Sequence, residues 1–193
     1  MQEPDYFVID IETCPIVLDN YESLDEESRI KLINPIDSKI IALGLKYGDS
    51  NQIFMGENEK EILEDFWEAW REIKGENNMI KVVGFNTTSF DIPFIVTRSF
   101  IHKVQIFPFT IKSLVDLREK ITAYRSGNTR GKLKEYAKII GLPIKDVDGS
   151  DIARLCIEKK YDIIKEYLIN DLIITDELYK RAKETNITFI ERW

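Results

Sequence analysis

The chain has 193 residues, of which 44% are hydrophobic and 32% charged; this is the composition of a folded globular protein, and no apolar run approaches the roughly 18 residues of a membrane span. A net charge of −7 argues against a protein that coats nucleic acid through its overall charge. One histidine, His102, and two distant cysteines, Cys14 and Cys156, exclude a His-rich metal site and zinc-ligand spacing. Because the acidic first residues do not form a secretory signal, we expect a cytoplasmic protein that does not contact the membrane.

The order of apolar patterns predicts an α/β fold. Strand patterns cover residues 6–11, 39–47, 52–55 and 79–86, with a further short strand near 111–114. Helical periodicity covers 57–74, 89–101, 132–141, 151–159 and 162–183, with a short helix within 22–32 and Ser150 as the cap of the helix that starts at 151. We expect a mixed sheet, in which an antiparallel three-strand meander is followed by parallel strands, with helices on both faces. No linker is visible, so one domain over 1–193 is predicted.

The first strand carries two carboxylates, Asp10 and Glu12, within an apolar run. Side chains two apart on a strand project from the same face. Two neighbouring anions in an apolar setting are costly unless a cation compensates them, and oxygen ligands suit Mg²⁺ or Mn²⁺. The alternative is that the strand ends earlier and both acids lie at its solvated tip.

Two later segments carry further polar groups. Asp91 follows the predicted strand 79–86, at the position where open α/β sheets usually bind ligands. Tyr167 and Asp171 are four residues apart and share one face of the last predicted helix. The alternatives are a first-turn acid that interacts with the helix dipole and a packing tyrosine with a satisfied hydroxyl.

These segments together resemble the DEDD superfamily of 3′–5′ exonucleases. The first motif is Phe-Val-Ile-Asp-Ile-Glu-Thr over 7–13, the second Asn-x-x-x-Phe-Asp-x-Pro-Phe over 86–94, and the third Tyr-x-x-x-Asp over 167–171, followed by Thr175. Glu166 stands where the histidine subgroup would carry its histidine. The chain is most similar to the tyrosine subgroup, and in particular to stand-alone relatives of the proofreading domain of family B DNA polymerases.

The resemblance implies an RNase H-like fold and metal-dependent release of nucleotides from the 3′ end of single-stranded DNA, in repair or replication. It implies Asp10, Glu12, Asp91 and Asp171 as ligands of two divalent ions, Mg²⁺ or Mn²⁺, which activate water and stabilise the phosphoryl and leaving oxygens. Tyr167 would orient the attacking water, since its reference pKa of about 10 makes it a poor base.

The same resemblance places the substrate beside the second motif. Asn86 and Phe90 would then position the terminal nucleotide, and Thr13 would contact its 3′ terminus. The alternative is that Asn86 closes a turn and Phe90 packs in the core. Asp116, which follows another apolar pair, is expected to be structural.

Basic charge is concentrated between residues 118 and 138, where seven basic side chains stand against two acidic ones. Arg125, Arg130 and Lys132 in this segment are expected to contact phosphates along a single strand. A solvated helix face is the alternative.

Two other functions have to be weighed against digestion of DNA. One is trimming of RNA 3′ ends, since discrimination of the sugar depends on room at the 2′ position. The other is a noncatalytic nucleic-acid-binding module. The four acids argue against that module, because clustered carboxylates gain nothing from facing phosphate.

Overall fold

The fold is known from a computed structural model that describes residues 4–75, 79–127 and 130–192. The strands are β1 (Tyr6–Pro15), β2 (Ser38–Tyr47), β3 (Ser50–Met55), β4 (Lys81–Gly84) and β5 (Leu114–Asp116). The helices are α1 (Glu26–Lys31), α2 (Glu59–Lys74), α3 (Asp91–His102), α4 (Leu117–Ile121), α5 (Leu133–Ile139), α6 (Ile152–Ile157) and α7 (Tyr161–Glu184).

The strands form a mixed sheet in the order β3-β2-β1-β4-β5. β1 pairs antiparallel with β2, and β2 antiparallel with β3, which is the predicted meander. β4 then joins β1 in parallel, and β5 joins β4 in parallel. The predicted α/β, RNase H-like sheet is therefore confirmed, and β1 lies at its centre.

Alternation along β1 separates the two faces of the sheet. Phe7, Ile9 and Ile11 pack against α2 and α3, in a core that includes the aromatic side chains of α2. Val8 packs on the opposite face, against α7. Asp10 and Glu12 continue the Val8 series, so the pleat directs them toward α7.

Several boundaries differ from the predictions, and capping groups explain them. α1 begins only at Glu26, because the Asp25 carboxylate accepts the Ser28 N–H at 2.8 Å. Ser150 is not a helix cap: it lies inside a single 3₁₀ turn, Gly149–Asp151, and its own N–H donates to Asp148.

The last strand and the segment after it also differ. Residues Ile111–Ser113 form a 3₁₀ turn, and the strand starts at Leu114. The segment that follows forms the short helix α4, for which no helical pattern was identified, and Asp116 caps it by accepting from the N–H groups of Arg118 and Glu119.

None of the helices within the described ranges is long and apolar enough to cross a lipid bilayer.

Candidate active site

Three carboxylates from two elements converge on one face of the sheet. Oxygen atoms of Asp10, Glu12 and Asp171 all lie within 4.8 Å of one another. Asp10 is half-buried, whereas Glu12 and Asp171 are only 7% and 6% exposed. The solvated strand tip considered as an alternative is thus excluded for Glu12.

The close approach of α7 to the sheet brings Asp171 to this position. Gly44 of β2 pairs with Asp10 of β1. A Cβ at Gly44 would lie 2.7 Å from Cδ1 of Leu172 and 3.1 Å from Cγ of Leu168, so α7 occupies the space where a side chain would stand. A glycine beside Asp10 therefore lets the helix carry Asp171 onto the strand.

The negative charges of this cluster have no ion-pair partner within the described residues, and burial raises their pKa values. Burial, followed by the charges of Asp91, Glu12 and Asp171, raises the pKa of Asp10 well above its ordinary value. Burial and the charge of Asp171 do the same for the pKa of Glu12. The Oδ1 atom of Asp171 is buried and accepts no hydrogen bond within the described protein. An unpaired buried carboxylate oxygen is costly, and a divalent cation with oxygen ligands is the group that fits it.

Asp91 stands beside this trio rather than within it. It is the first residue of α3, is 2% exposed, and its Oδ1 accepts the N–H of Ile11 at 3.1 Å. Burial raises the pKa of Asp91 to about 7. The hydrogen bond places Asp91 against the backbone between Asp10 and Glu12, so it is not the solvated first-turn acid considered as an alternative.

Tyr167 is the second side chain that α7 places beside the acid cluster. Its side chain is almost fully buried, and burial followed by the charge of Asp171 raises the pKa of the hydroxyl far above its ordinary value. The hydroxyl therefore remains protonated at neutral pH and acts as a hydrogen-bond donor rather than a base.

Lys134 of α5 was not selected from the sequence. Its Nζ lies 4.7 Å from the centre of the Tyr167 ring and donates a hydrogen bond to the Lys145 carbonyl at 3.1 Å. Its positive charge lowers the pKa of both Glu12 and Asp171, against the effect of burial. Lys134 is one of seven basic residues between 118 and 138, and nothing in their spacing distinguishes it.

A cavity of about 250 Å³ adjoins the acids, and Glu12, Thr13 and Phe90 line it. Tyr21 and Ile33 form another part of its wall. Both residues belong to the segment between β1 and β2. This segment covers the carboxyl end of β1, where the Ile16 N–H donates a hydrogen bond to the Asp37 carbonyl at 2.8 Å.

The predicted basic residues are distributed unevenly. Lys132 lines a larger cavity of about 720 Å³, which shares Tyr21 and Ile33 with the smaller one. Arg125 is exposed, and Arg130 lies beside Tyr136 in a separate depression. Residues 128–129 of this segment lie outside the described residues. The expected phosphate contacts of all three remain predictions.

Asn86 and Asp116 lie in one hydrogen-bonded group at the ends of β4 and β5. Asp116 accepts the N–H groups of Asn86 and Thr88 at 3.0 and 3.1 Å. Asp116 is therefore bonded to the backbone and is not part of the acid cluster.

This architecture also occurs in a polymerase. The family B DNA polymerase from the hyperthermophilic archaeon Pyrobaculum calidifontis is similar in structure, with a TM-score of 0.70, 16% sequence identity and 94% of this chain covered. The chain spans 25% of that polymerase chain. At this identity the likeness shows the fold.

Sequence comparison shows the family. A family described as "Predicted 3'-5' exonuclease related to the exonuclease domain of PolB" matches residues 49–113 and 109–191. The chain belongs to this family. It is also 35% identical over 162 residues to the uncharacterized protein MJ0365 of Methanocaldococcus jannaschii, a match that covers 77% of this chain and 88% of that protein. The first motif, with Asp10 and Glu12, precedes the residues matched by the family.

Proposed function

We propose that this protein is a metal-dependent 3′–5′ exonuclease that releases nucleotides from the 3′ end of single-stranded DNA. The observation that carries the proposal is the trio of Asp10, Glu12 and Asp171, whose oxygens converge while one buried oxygen of Asp171 has no hydrogen-bond partner among the described residues. Membership of a family related to the PolB exonuclease domain supports the reaction and favours DNA as the substrate.

The four acids divide into two sets of ligands. Asp10, Glu12 and Asp171 would hold one ion, and Asp91 together with Asp10 would hold a second. Two Mg²⁺ or Mn²⁺ ions, when bound, supply an activated water and stabilise charge on the phosphoryl and leaving oxygens. Because the four acids are packed between β1, α3 and α7, they lie in fixed positions before substrate arrives.

Neighbouring side chains would act directly on the substrate. The protonated Tyr167 hydroxyl donates a hydrogen bond to the attacking water and thereby orients it. The ammonium group of Lys134 lies beside the same acids and offers a positive charge to a phosphate oxygen.

The cavity beside Glu12 supports a terminal nucleotide as the group that binds there. Its walls carry Phe90, Tyr21 and Ile33, which provide apolar and aromatic contacts of the kind that accept any base. Thr13 lies at its edge, next to the irregularity in pairing between Glu12 and Thr13.

The test is digestion of 5′-labelled single-stranded DNA, duplex DNA and single-stranded RNA of the same sequence, with Mg²⁺, Mn²⁺ or a chelator. We expect a ladder of products that shorten one nucleotide at a time from the 3′ end of single-stranded DNA, and none with the chelator. Faster digestion of RNA would reassign the substrate. Internal cleavage, or cleavage that persists in the chelator, would contradict the proposal.

A further inference from the structure

The turn between β4 and α3 has a conformation that depends on Asn86. This residue has a φ of 66°, in the left-handed region that asparagine tolerates better than most residues. Its carbonyl accepts the N–H groups of Ser89 and Phe90 at 3.1 and 3.0 Å. The turn leads directly to Phe90 in the cavity wall and to Asp91 at the start of α3.

Asp116 holds this turn from the neighbouring strand. It is 3% exposed and pairs with Gly84 in the β4–β5 register. In addition to the two backbone N–H groups, its carboxylate accepts the Thr88 hydroxyl at 2.7 Å. The same carboxylate accepts the N–H of Arg118 at 3.0 Å, which ties the turn to the start of α4.

Arg118 fixes the side chain of Asn86. Its Nη1 donates to the Asn86 Oδ1 at 3.2 Å. A guanidinium group has only donors, so the amide oxygen has to face it. In the reverse orientation the NH2 group of the amide, which is a donor, would face the donors of the guanidinium group. The amide nitrogen of Asn86 therefore points away from Arg118, and it donates no hydrogen bond to the protein within the described residues.

We infer that Asp116 and Arg118 are positioning residues that turn the Asn86 amide nitrogen toward the 3′-terminal nucleotide, which is thus recognised through a hydrogen-bond acceptor. This inference rests on the proposed function. It assigns Arg118 a role through Asn86, distinct from a direct phosphate contact.

The chemistry of the acceptor predicts how substrates are treated. Phosphate and sugar oxygens are acceptors in every nucleotide, and purine N3 and pyrimidine O2 offer an acceptor in every base. A single fixed donor does not distinguish among the four bases. The Asn86 contribution to binding should therefore be the same for each 3′-terminal base.

A double-mutant cycle tests the inference on the full chain. Asn86→Ala is expected to raise KM for single-stranded DNA about 10-fold with kcat within about twofold, the loss of one hydrogen bond to a charged or polar oxygen. Asn86→Asp should raise KM further, because it replaces the donor by an anion. Arg118→Met should raise KM severalfold alone and not at all in the Asn86→Ala background, and Arg118→Lys should restore most of the loss.

The same cycle is measured as oligonucleotide dissociation constants by fluorescence anisotropy, with Ca²⁺ to suppress turnover. Arg71→Met, which removes an exposed positive charge from α2, is the matched control and should leave both constants unchanged. Additive effects of the Arg118 and Asn86 substitutions would overturn the inference, since Arg118 would then act on substrate by itself. So would an effect confined to one terminal base.

The experiments distinguish a failure of the proposed exonuclease function from a failure of the Arg118 inference. A wild-type protein that binds the oligonucleotide but does not shorten it would refute the exonuclease, while the binding cycle would still support or overturn the role of Arg118. A wild-type protein that does not bind would refute both.

Discussion

Two buried carboxylate groups lie on opposite sides of the sheet, and they differ in how their charge is balanced. Glu59, on the α2 side, is 6% exposed, as buried as Glu12 at 7%. Its carboxylate accepts the Ile40 N–H at 2.7 Å and the Arg98 Nε at 2.8 Å, and His102 Nε2 lies 2.8 Å from it. Burial raises the pKa of Glu59, but the Arg98 and Ile40 hydrogen bonds outweigh it and leave this pKa below its ordinary value.

The Glu59 group is complete within the protein, whereas the Asp10, Glu12 and Asp171 group has no such ion pair among the described residues. Arg98 also donates to the Pro35 carbonyl, so the Glu59 group joins α2, α3 and the segment before β2. Burial alone therefore does not distinguish the two groups. The absence of an ion-pair partner does, and it supports the proposed metal site, because a bound cation would supply the missing positive charge.

The largest expected effect is the loss of turnover in Asp10→Ala or Asp171→Ala. Each removes a carboxylate that nothing in the protein replaces, and we expect kcat to fall by about 10³-fold or more, roughly 4 kcal/mol. The measurement is single-turnover digestion of single-stranded DNA. Unfolding midpoints without metal should be equal to or above that of the wild type, because a repulsive charge is lost.

Asp65→Asn provides the control for charge, since Asp65 is exposed on α2. Wild-type turnover in Asp10→Ala at matched stability would remove the distinction between the two carboxylate groups.

For Glu59→Gln we expect the opposite result, a loss of stability without a loss of turnover. This substitution leaves the Arg98 guanidinium buried with a neutral partner, and we expect the free energy of unfolding to fall by about 3 kcal/mol. Urea denaturation measures it, and exonuclease activity of the remaining folded protein should not change. A loss of turnover without a loss of stability would show that the Glu59 group is not purely structural.

Metal binding should strengthen as the pH rises, because the pKa values of the buried acids are raised. Burial raises the pKa of Asp91 to about 7 and that of Asp171 to about 6, from an ordinary value of 3.8. The folded, metal-free protein therefore holds these protons more tightly than the unfolded chain. This contribution to stability is complete below about pH 4 and is lost as the pH rises to about 7.

Divalent cations compete with these protons, so Mg²⁺ or Mn²⁺ should raise Tm more at pH 7.5 than at pH 5.5. We expect saturating metal to raise Tm by about 3 °C or more at pH 7.5, as measured by differential scanning fluorimetry. Asp171→Ala should abolish most of the rise. An equal rise at both pH values would mean that the metal binds elsewhere.

A smaller effect is expected for Lys134→Gln. Since the ammonium group balances part of the negative charge near Glu12 and Asp171, its removal should lower kcat about 10-fold without destabilising the fold. Lys138→Gln, on the exposed side of α5, is the matched control. Equal rates for the two variants would remove Lys134 from the site.

The smallest effect is expected for the combined Arg125→Gln, Arg130→Gln and Lys132→Gln protein. Binding of single-stranded DNA should weaken, and the slope of log K against log salt should decrease by about 0.7 for each phosphate that the variant no longer neutralises. Titrations at several salt concentrations measure this slope. An unchanged slope would support the solvated face considered as the alternative for this segment.

Local patterns were sufficient for the parts of the site that lie on regular elements. The alternation around Asp10 and Glu12 and the helical spacing of Tyr167 and Asp171 each place two side chains on one face without knowledge of the rest. Lys134 could not be found in this way, because its closeness to the acids arises from the position of α5 beside the Tyr167 ring. Tyr21 and Ile33 were missed for a related reason: the path of a long connection depends on what it packs against.

The amino-acid sequence alone is sufficient to predict the order of the elements, the alternation that separates the two faces of β1, and the family to which the motifs belong. Three features become visible only in the folded chain: which buried acids lack an ion-pair partner, that Gly44 admits α7 close to Asp10, and that Arg118 orients Asn86. This difference arises because periodicity is a local property of the backbone. Charge balance and close approach are properties of atoms that folding brings together from distant parts of the chain.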